Sequence, residues 1–224
     1  PIGGVAWELG GVQLAAFIGA LASVGLVWRV AGIGSGEERI ASVLLVGYAV
    51  ASLLAAALSL VMLASGANLR AIFSFLLGGL DGATWPRLAA AALPLIAATT
   101  LLALRGRALA GFLLGDEAAQ HLGVDVRRER RIAVALASLA TAAAVALAGL
   151  IGFVGLVVPH LARLAVGPDP RAVLPLSAIG GALLLLLADT IARSIGVPVG
   201  VITALIGAPF LLWLLHRART GYAL

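Results

Sequence analysis

The chain has 224 residues, of which 62% are hydrophobic and only 11% charged, whereas typical soluble domains carry roughly 25% charged residues. A soluble core of this size cannot bury so much apolar surface, so the composition excludes an ordinary soluble domain and indicates that lipid is the solvent for much of the chain. The absence of cysteine excludes disulfides and thiolate metal sites. A net charge of +5 could suggest nucleic acid as a partner, but the arginines lie at the ends of apolar segments and form no single basic face.

Seven apolar segments follow one another along the chain, and most reach the ~17–25 residues that cross a bilayer. They predict an all-α fold, a polytopic transmembrane helix bundle forming one domain over residues 1–224. The fifth segment is short and is interrupted by Pro159, His160 and Arg163. The segments are residues 12–28, 40–64, 88–104, 132–150, 151–166, 173–191 and 197–215.

Arginine placement predicts the orientation in the membrane. If the C-terminus is cytoplasmic, twelve arginines fall in inner connections and three, Arg70, Arg87 and Arg193, in outer ones. This distribution follows the positive-inside rule, and the opposite orientation would invert it. Seven spans ending inside would place Pro1 outside, as expected for a piece that lacks an odd number of N-terminal spans.

Two connections between the apolar segments are long. The outer one, residues 65–87, contains an apolar stretch over 69–80 that fits either a half-helix at the outer surface or an interfacial anchor helped by Trp85. The inner one, residues 105–131, contains Gly-Asp-Glu-Ala-Ala-Gln-His-Leu-Gly over 115–123. Acids at its start and the glycine at its end predict a short amphipathic helix. That helix would either dock onto a soluble partner or rest on lipid headgroups.

The sequence offers no catalytic, cofactor or metal site. Without lysine it cannot form a phosphate-binding P-loop, so we do not expect it to hydrolyse ATP itself. His121, His160 and His216 are far apart and share no ligand spacing with acids. No Ser/His/Asp set has a spacing that suggests nucleophilic catalysis.

Several residues in or near the last three segments are unusual at membrane depth. Gly149, Gly152 and Gly155 recur every three residues, which favours close helix packing. Pro159-His160 leaves backbone groups unpaired, which is tolerated where protein or a water-filled cavity covers them. His160 is more readily interpreted as a structural hydrogen-bonding residue than as a ligand. A ridge of small residues with neighbours in the last segment suits packing on another helix or subunit: Gly200, Ala204 and Ala208, with Gly207 and Pro209.

Asp189 and Arg193 are four residues apart, so they can pair on one helix face. Either the pair satisfies itself at the end of a span, or Arg193 is presented to an external partner.

Four motifs in order resemble the FecCD-type permeases, the membrane subunits of ABC importers for iron-siderophores, haem and vitamin B12. They are Gly-Phe-Val-Gly-Leu-Val-Val-Pro-His-Leu-Ala-Arg over 152–163, Gly-Pro-Asp-Pro-Arg over 167–171, Ala-Asp-Thr-Ile-Ala-Arg over 188–193, and Pro-Val-Gly-Val-Ile-Thr-Ala-Leu-Ile-Gly-Ala-Pro-Phe over 198–210. The resemblance covers nearly the whole chain. It implies a type II importer permease of ten spans, of which about seven are present.

The resemblance also implies roles for particular residues. Arg193, supported by Asp189, matches the arginine that receives an acid of the substrate-binding protein. The inner gate would lie at Ile40, Ala41 and Ser42, although the family often has small hydroxyl residues where this chain has Ile and Ala. The motif residues Gly152, Phe153, Gly155, Pro159, His160, Arg163, Gly207 and Pro209 are structural. The coupling segment that docks on the ATPase would use Leu114, Gly115, Asp116, Glu117, Ala118, Ala119, Leu122 and Gly123.

The sequence therefore predicts a transport subunit and not an enzyme, a multi-pass protein of the bacterial inner membrane. Its expected partners are separate ABC ATPase subunits, an extracytoplasmic binding protein, and a second permease copy, identical or closely paralogous. Its cargo would be an iron-siderophore or related chelate such as haem or cobalamin. The alternatives are an ABC permease for bare metal ions, which should line a span with histidine and acids, and an ion-coupled secondary transporter, which should carry ionisable groups at mid-membrane.

Overall fold

Residues 2–31, 37–64 and 69–220 are described in a computed structural model, except for the side chains of 2–10, 12, 37–40, 69–71 and 218–220. Within these ranges the regular structure is entirely helical. Ten α-helices follow in order, with a 3₁₀ turn at Phe112–Leu114 between the fifth and sixth. They are α1 (Ile2–Ala31), α2 (Glu37–Ala64), α3 (Leu69–Leu77), α4 (Trp85–Leu104), α5 (Gly106–Gly111), α6 (Asp116–His121), α7 (Val126–Ala148), α8 (Val154–Val166), α9 (Pro170–Ile195) and α10 (Val199–Thr220).

Six of the described helices are long and apolar enough to cross a membrane, namely those of residues 13–31, 41–64, 85–104, 126–148, 170–195 and 199–217. These correspond to six of the seven predicted segments. The remaining segment, the fifth in order, corresponds to α8, which has only 13 residues. At 1.5 Å per residue it covers about 20 Å, less than a bilayer core. The prediction that it begins at Ile151 is wrong, because residues 149–153 form an irregular turn and the helix begins at Val154.

Local sequence explains where the helices begin and end. The side chain of Asp125 accepts from the N–H of Arg128 at 3.0 Å and caps α7, and Asp169 caps α9 through the N–H of Arg171 at 2.9 Å. Gly149 and Gly196 end the same two helices with φ of 69° and 71°, a conformation that favours glycine. The ends of these spans are therefore fixed by residues next to the apolar runs.

The helices pack in two groups linked by α9. In one group, α4 and α1 lie against α7; in the other, α8 and α10 lie against α9, which also contacts α4 and α5. Small residues make the contacts, since the buried side chains of α7 are mostly alanine: Ala142, Ala143 and Ala146 are buried. Large apolar side chains face outward, as expected where lipid surrounds the bundle.

The helix ends define two opposite faces. The first, here called the α3 face, contains the ends and loops at residues 77–84, 148–153 and 193–199. The second, the α5–α6 face, contains residues 105–125 and the loop 167–169. Ten of the twelve arginines whose side chains are described lie toward the α5–α6 face, and Arg87 and Arg193 lie toward the other. The predicted segregation of arginine is therefore present in the fold.

The end of α3 is fastened to the protein at the α3 face. The N–H of Gly79 donates to the carbonyl of Ala148 at 2.8 Å, and the N–H of Leu150 donates to that of Phe75 at 3.3 Å. A Cβ on Gly149 or on Gly200 would overlap the carbonyl oxygens of Phe75 and Leu77, respectively. Because α3 is held by α7 and α10, the structure favours the half-helix interpretation over a free interfacial anchor.

The predicted close packing of every glycine in the 149–155 series is wrong within this chain. Gly149 is in tight contact, but a Cβ at Gly152 or Gly155 would meet no atom within 4 Å. The turn places its second left-handed residue at Phe153, with φ of 67°, and not at a glycine. Phe153 rests against α10, which holds it in that conformation.

Candidate docking faces

The α5–α6 face carries a short helical hairpin, which consists of α5, the 3₁₀ turn and α6 (residues 106–121). It lies within the inner connection 105–131 that was predicted to contain the coupling segment. As predicted, a helix begins at the acids Asp116 and Glu117 and ends before Gly123, whose φ is 80°. Gly115, with φ of 91°, allows the chain to turn sharply from the 3₁₀ turn into α6. The preceding helix α5 was not predicted, because its six residues Gly106–Gly111 are too few for a periodic pattern.

Ala119 holds the hairpin together. Its side chain is 0% exposed, and a Cβ on Gly111 would lie 3.7 Å from the Cβ of Ala119. The carbonyl of Ala119 accepts from the N–H of Val124 at 3.0 Å. Ala118 is half-buried beside it. Ala119 is therefore part of the internal contact of the hairpin, whereas Ala118 keeps part of its surface exposed.

Two arginines attach the hairpin and its flanks to the spans. Arg130 of α7 bonds both carboxylate oxygens of Asp116, at 2.7 and 3.0 Å, and its guanidinium lies 5.7 Å from the ring centroid of Phe112. Arg105 at the end of α4 bonds Glu129 of α7 at 2.6 and 2.7 Å. A Cβ on Gly106 would lie 3.1 Å from Cγ of Arg171 in α9. A displacement of the hairpin would therefore be transmitted to α7 through Asp116–Arg130 and to α9 through Gly106–Arg171.

The hairpin exposes an apolar surface although it lies outside the spans. Leu113, Leu114 and Leu122 are 56%, 65% and 66% exposed. Glu117, Gln120 and His121 are exposed beside them. Exposed leucines with a polar surround are typical of a surface that a protein partner or a membrane covers.

On the opposite face Arg193 contacts two carboxylates. Its Nε donates to Oδ2 of Asp189 at 2.7 Å, which confirms the predicted pairing one helical turn apart. Its Nη2 lies 3.3 Å from Oδ1 of Asp81, in the loop between α3 and α4. The Arg193 side chain is nevertheless 52% exposed. The guanidinium is therefore held in place and still accessible from outside.

An open cleft of about 850 Å³ lies at this face. Its wall includes Phe75 of α3, Gln13 of α1 and Pro198, and its charged groups are Asp81, Arg87 and Arg193. Arg87 donates to the carbonyl of Gly82 at 2.9 Å and so tethers the α3–α4 loop. A second, almost wholly apolar cavity of about 610 Å³ lies between α1, α4 and α7.

Three of the structural motif residues lie where α8 meets α10, namely Phe153, His160 and Gly207. Gly207 is buried, and a Cβ there would overlap Phe153. The His160 ring stands edge-on to Phe210 with centroids 5.8 Å apart. Pro159 is half-buried inside α8, whereas Arg163 and Pro209 are exposed.

The predicted gate residues lie at the start of α2. Ala41 is exposed and Ser42 is half-buried, while the side chain of Ile40 lies outside the described residues. No group of three or more His, Cys, Asp or Glu side chains comes together among the residues whose side chains are described.

These features define a class: a helical membrane protein whose bundle of spans carries an exposed candidate docking surface at each end. Residues 2–217 match the FecCD transport family, and the chain belongs to that family. It is 47% identical over 92% of its length to a cobalamin import system permease protein, BtuC, of Halobacterium salinarum. It is 40% identical, again over 92% of its length, to a hemin transport system permease protein, HmuU, of Yersinia pestis.

The chain spans 56% of the length of the first of these relatives and 63% of the second. A solved structure of an ABC transporter assigned to the metal-chelate type, in an inward-facing conformation, superposes with a TM-score of 0.79. That protein is 29% identical, and the match covers 93% of this chain and 72% of the other. The helical permease fold predicted from the sequence is confirmed.

Two features of the site had weak signals in the sequence. Asp81 is an acid in the same predicted outer connection as Trp85, and its pairing with Arg193 could have been suggested by their common side of the membrane. The contact of Phe153 with Gly207 joins two motifs that lie far apart in sequence. The only sequence signal for this contact was that one motif carries an aromatic residue and the other a glycine that can accommodate it.

Proposed function

We propose that the chain is the pathway-forming part of an ABC importer permease whose cargo is a metal chelate of the iron-siderophore, haem and cobalamin class. ATP would be hydrolysed by separate ATPase subunits. The observation that carries the proposal is the placement of two accessible docking features on opposite faces: the leucines of the α5–α6 hairpin and Arg193. Family membership and the names of the relatives support the same assignment.

The arginine distribution supports the orientation. With the α5–α6 face in the cytoplasm, ten of the twelve described arginines lie on the inner side. The C-terminus is then cytoplasmic, and Arg193 faces the binding protein in a bacterial inner membrane. A second permease copy, identical or paralogous, would complete the pathway.

The mechanism begins at the hairpin. An ATPase groove would cover Leu113, Leu114 and Leu122. When the ATPases move on binding or hydrolysing ATP, the Asp116–Arg130 and Gly106–Arg171 contacts pass the movement to α7 and α9. Because Arg193 lies in the last turn of α9, a shift of this helix would carry the movement from the ATPase side to the binding-protein side. Transport requires that the spans have at least two packings of similar free energy, which nucleotide and binding protein stabilise differently.

The test is uptake by the full-length permease in proteoliposomes with its ATPase and binding protein. Radiolabelled cobalamin, haem and a ferric siderophore are supplied separately, with ferric and zinc ions as controls. We expect uptake of one chelate that needs ATP and the binding protein and survives collapse of ion gradients. Uptake of bare metal ions alone, or uptake that follows an ion gradient without ATP, would contradict the proposal.

A further inference from the structure

Arg193 has two partners that are held very differently. Asp189, on the same helix, is 14% exposed and bonds Nε at 2.7 Å. Asp81, on the α3–α4 loop, is 75% exposed and lies 3.3 Å from Nη2. The contact with Asp189 is short and shielded, whereas the contact with Asp81 is long and open to water. An exposed pair of the second kind is worth only about 0–1 kcal/mol.

We infer that Asp81 is an exchangeable internal partner of Arg193, occupying the position that an acidic side chain of the binding protein takes on docking. The inference rests on the proposed function of Arg193. In the undocked permease, Asp81 pairs with the outer edge of the guanidinium and holds the α3–α4 loop against the end of α9. When the binding protein docks, its carboxylate replaces that of Asp81 and the loop is released.

Asp189 cannot be the partner that leaves. Its Oδ1 is buried and has no hydrogen-bond partner among the described residues, so its charge depends on the bond from Arg193 to Oδ2. Removing that bond would leave a shielded carboxylate with no compensation, which is costly. Asp81 can return to water at little cost because it is mostly exposed. Asp189 therefore positions Arg193, and Asp81 exchanges.

Release of the loop has a structural consequence. Asp81 and Arg193 both line the 850 Å³ cleft, and their contact joins the α3–α4 loop to the last turn of α9 beside it. The loop is also tied to α7 through the Gly79–Ala148 hydrogen bond and to α4 through Arg87 and Gly82. Its two ends thus stay fixed while the segment at Asp81 moves. Docking would widen the cleft between the α3–α4 loop and α9 without dismantling the α3 face.

The first test measures the affinity of the binding protein for the full-length permease–ATPase complex in lipid nanodiscs. Asp81→Asn should tighten binding about two- to fivefold, because the competing carboxylate is gone. Asp81→Glu, which keeps the charge, should change it little. Arg193→Gln should weaken binding, and in that background Asp81→Asn should have no effect.

The Asp81→Asn change in the Arg193→Gln background distinguishes the exchange from a general charge effect. If Asp81→Asn tightens binding equally with Arg193 and with Gln at that position, simple repulsion explains it and the exchange is wrong. If Asp81→Asn has no effect while Arg193→Gln weakens binding, the exchange is also wrong but the docking role of Arg193 stands. If neither change matters, the docking role fails and the exchange fails with it.

A second readout follows the loop itself. The 224 residues contain no cysteine, so spin labels can be placed at Leu80→Cys, next to Asp81, and Ile195→Cys without removing native thiols from this part of the protein. Adding the binding protein should lengthen and broaden the distance between the labels, and Asp81→Asn should do so without it. An unchanged distance distribution in both cases would overturn the inference.

Discussion

Phe153 adopts a left-handed backbone conformation, with φ of 67°, and lies directly against Gly207 of α10. A non-glycine residue in this region costs of order 1–3 kcal/mol and persists only where surrounding contacts fix it. The contact is possible because Gly207 has no side chain. The residue that begins α8 is thus held by the middle of α10, which couples the two helices at one point.

We expect Gly207→Ala to destabilise the protein by about 1–3 kcal/mol, because the added methyl group would overlap Phe153 and force α8 away from α10. Thermal unfolding of the purified full-length permease in detergent measures this. Gly155→Ala is the matched control, since a Cβ there meets nothing within 4 Å. An equal loss of stability in the control and in Gly207→Ala would show that the Phe153–Gly207 contact is not the cause of the destabilisation.

Changing Leu122 to Glu should uncouple transport from ATP hydrolysis and leave the permease folded, because Leu122 is 66% exposed on the hairpin. ATPase stimulation and uptake in proteoliposomes should both fall, while Leu122→Met should keep both. Ala119→Pro is a poorer test, since Ala119 is 0% exposed and its N–H donates to Gly115 at 3.0 Å. Normal coupling by Leu122→Glu would mean that the hairpin rests on lipid headgroups instead.

Glu129→Gln should lower the free energy of unfolding by about 1 kcal/mol, because it weakens the charge-assisted bonds from Arg105 that join α4 to α7. The side chains of Arg105 and Glu129 are 34% and 18% exposed, so water screens the pair only in part. The exposed Glu117→Gln is the control. In a double-mutant cycle with Arg105→Gln the two changes should be strongly non-additive, and additivity would contradict the interaction.

The sequence predicted the spans well because their apolar runs are long, and an apolar run of about 20 residues is typical of a helix that crosses a bilayer. It placed the start of α8 three residues too early, because Ile151 and Phe153 are as apolar as the helix that follows. What ends the turn at Phe153 is a tertiary contact with α10. The residues around position 151 do not encode that contact in any local pattern.

Some of the candidate docking residues could likewise be predicted from local sequence, whereas others depend on tertiary contacts. The helix over 116–121 was predictable from its acids and glycines, and the Asp189–Arg193 pair from its spacing. For the contact of Asp81 with Arg193 the common side of the membrane was the only signal, because the contact depends on the α3–α4 loop folding back onto the end of α9. The buried position of Ala119 was also hidden, since it depends on α5, which is too short to give a pattern.

Arg193→Glu in the full-length protein should weaken the complex with the binding protein by about 1–3 kcal/mol and make its affinity less dependent on salt. The reason is that an exposed guanidinium is replaced by a third carboxylate beside Asp81 and Asp189. Titrations at several salt concentrations measure both effects. The control is Ser194→Ala, the neighbouring exposed residue on the α3 face, which should leave both the affinity and the salt dependence unchanged. An unaltered affinity and salt slope in Arg193→Glu would exclude the docking role.

The orientation of the two faces can be tested with single cysteines, because these 224 residues have none. In spheroplasts, Ala83→Cys on the α3 face should react with a membrane-impermeant maleimide added outside. Glu117→Cys on the α5–α6 face should react only after the membrane is permeabilised, since the positive-inside rule places that face in the cytoplasm. Both positions are exposed, so burial cannot explain a difference between them. Labelling of Glu117→Cys in intact spheroplasts, with Ala83→Cys protected, would invert the topology and exclude the hairpin as the ATPase contact.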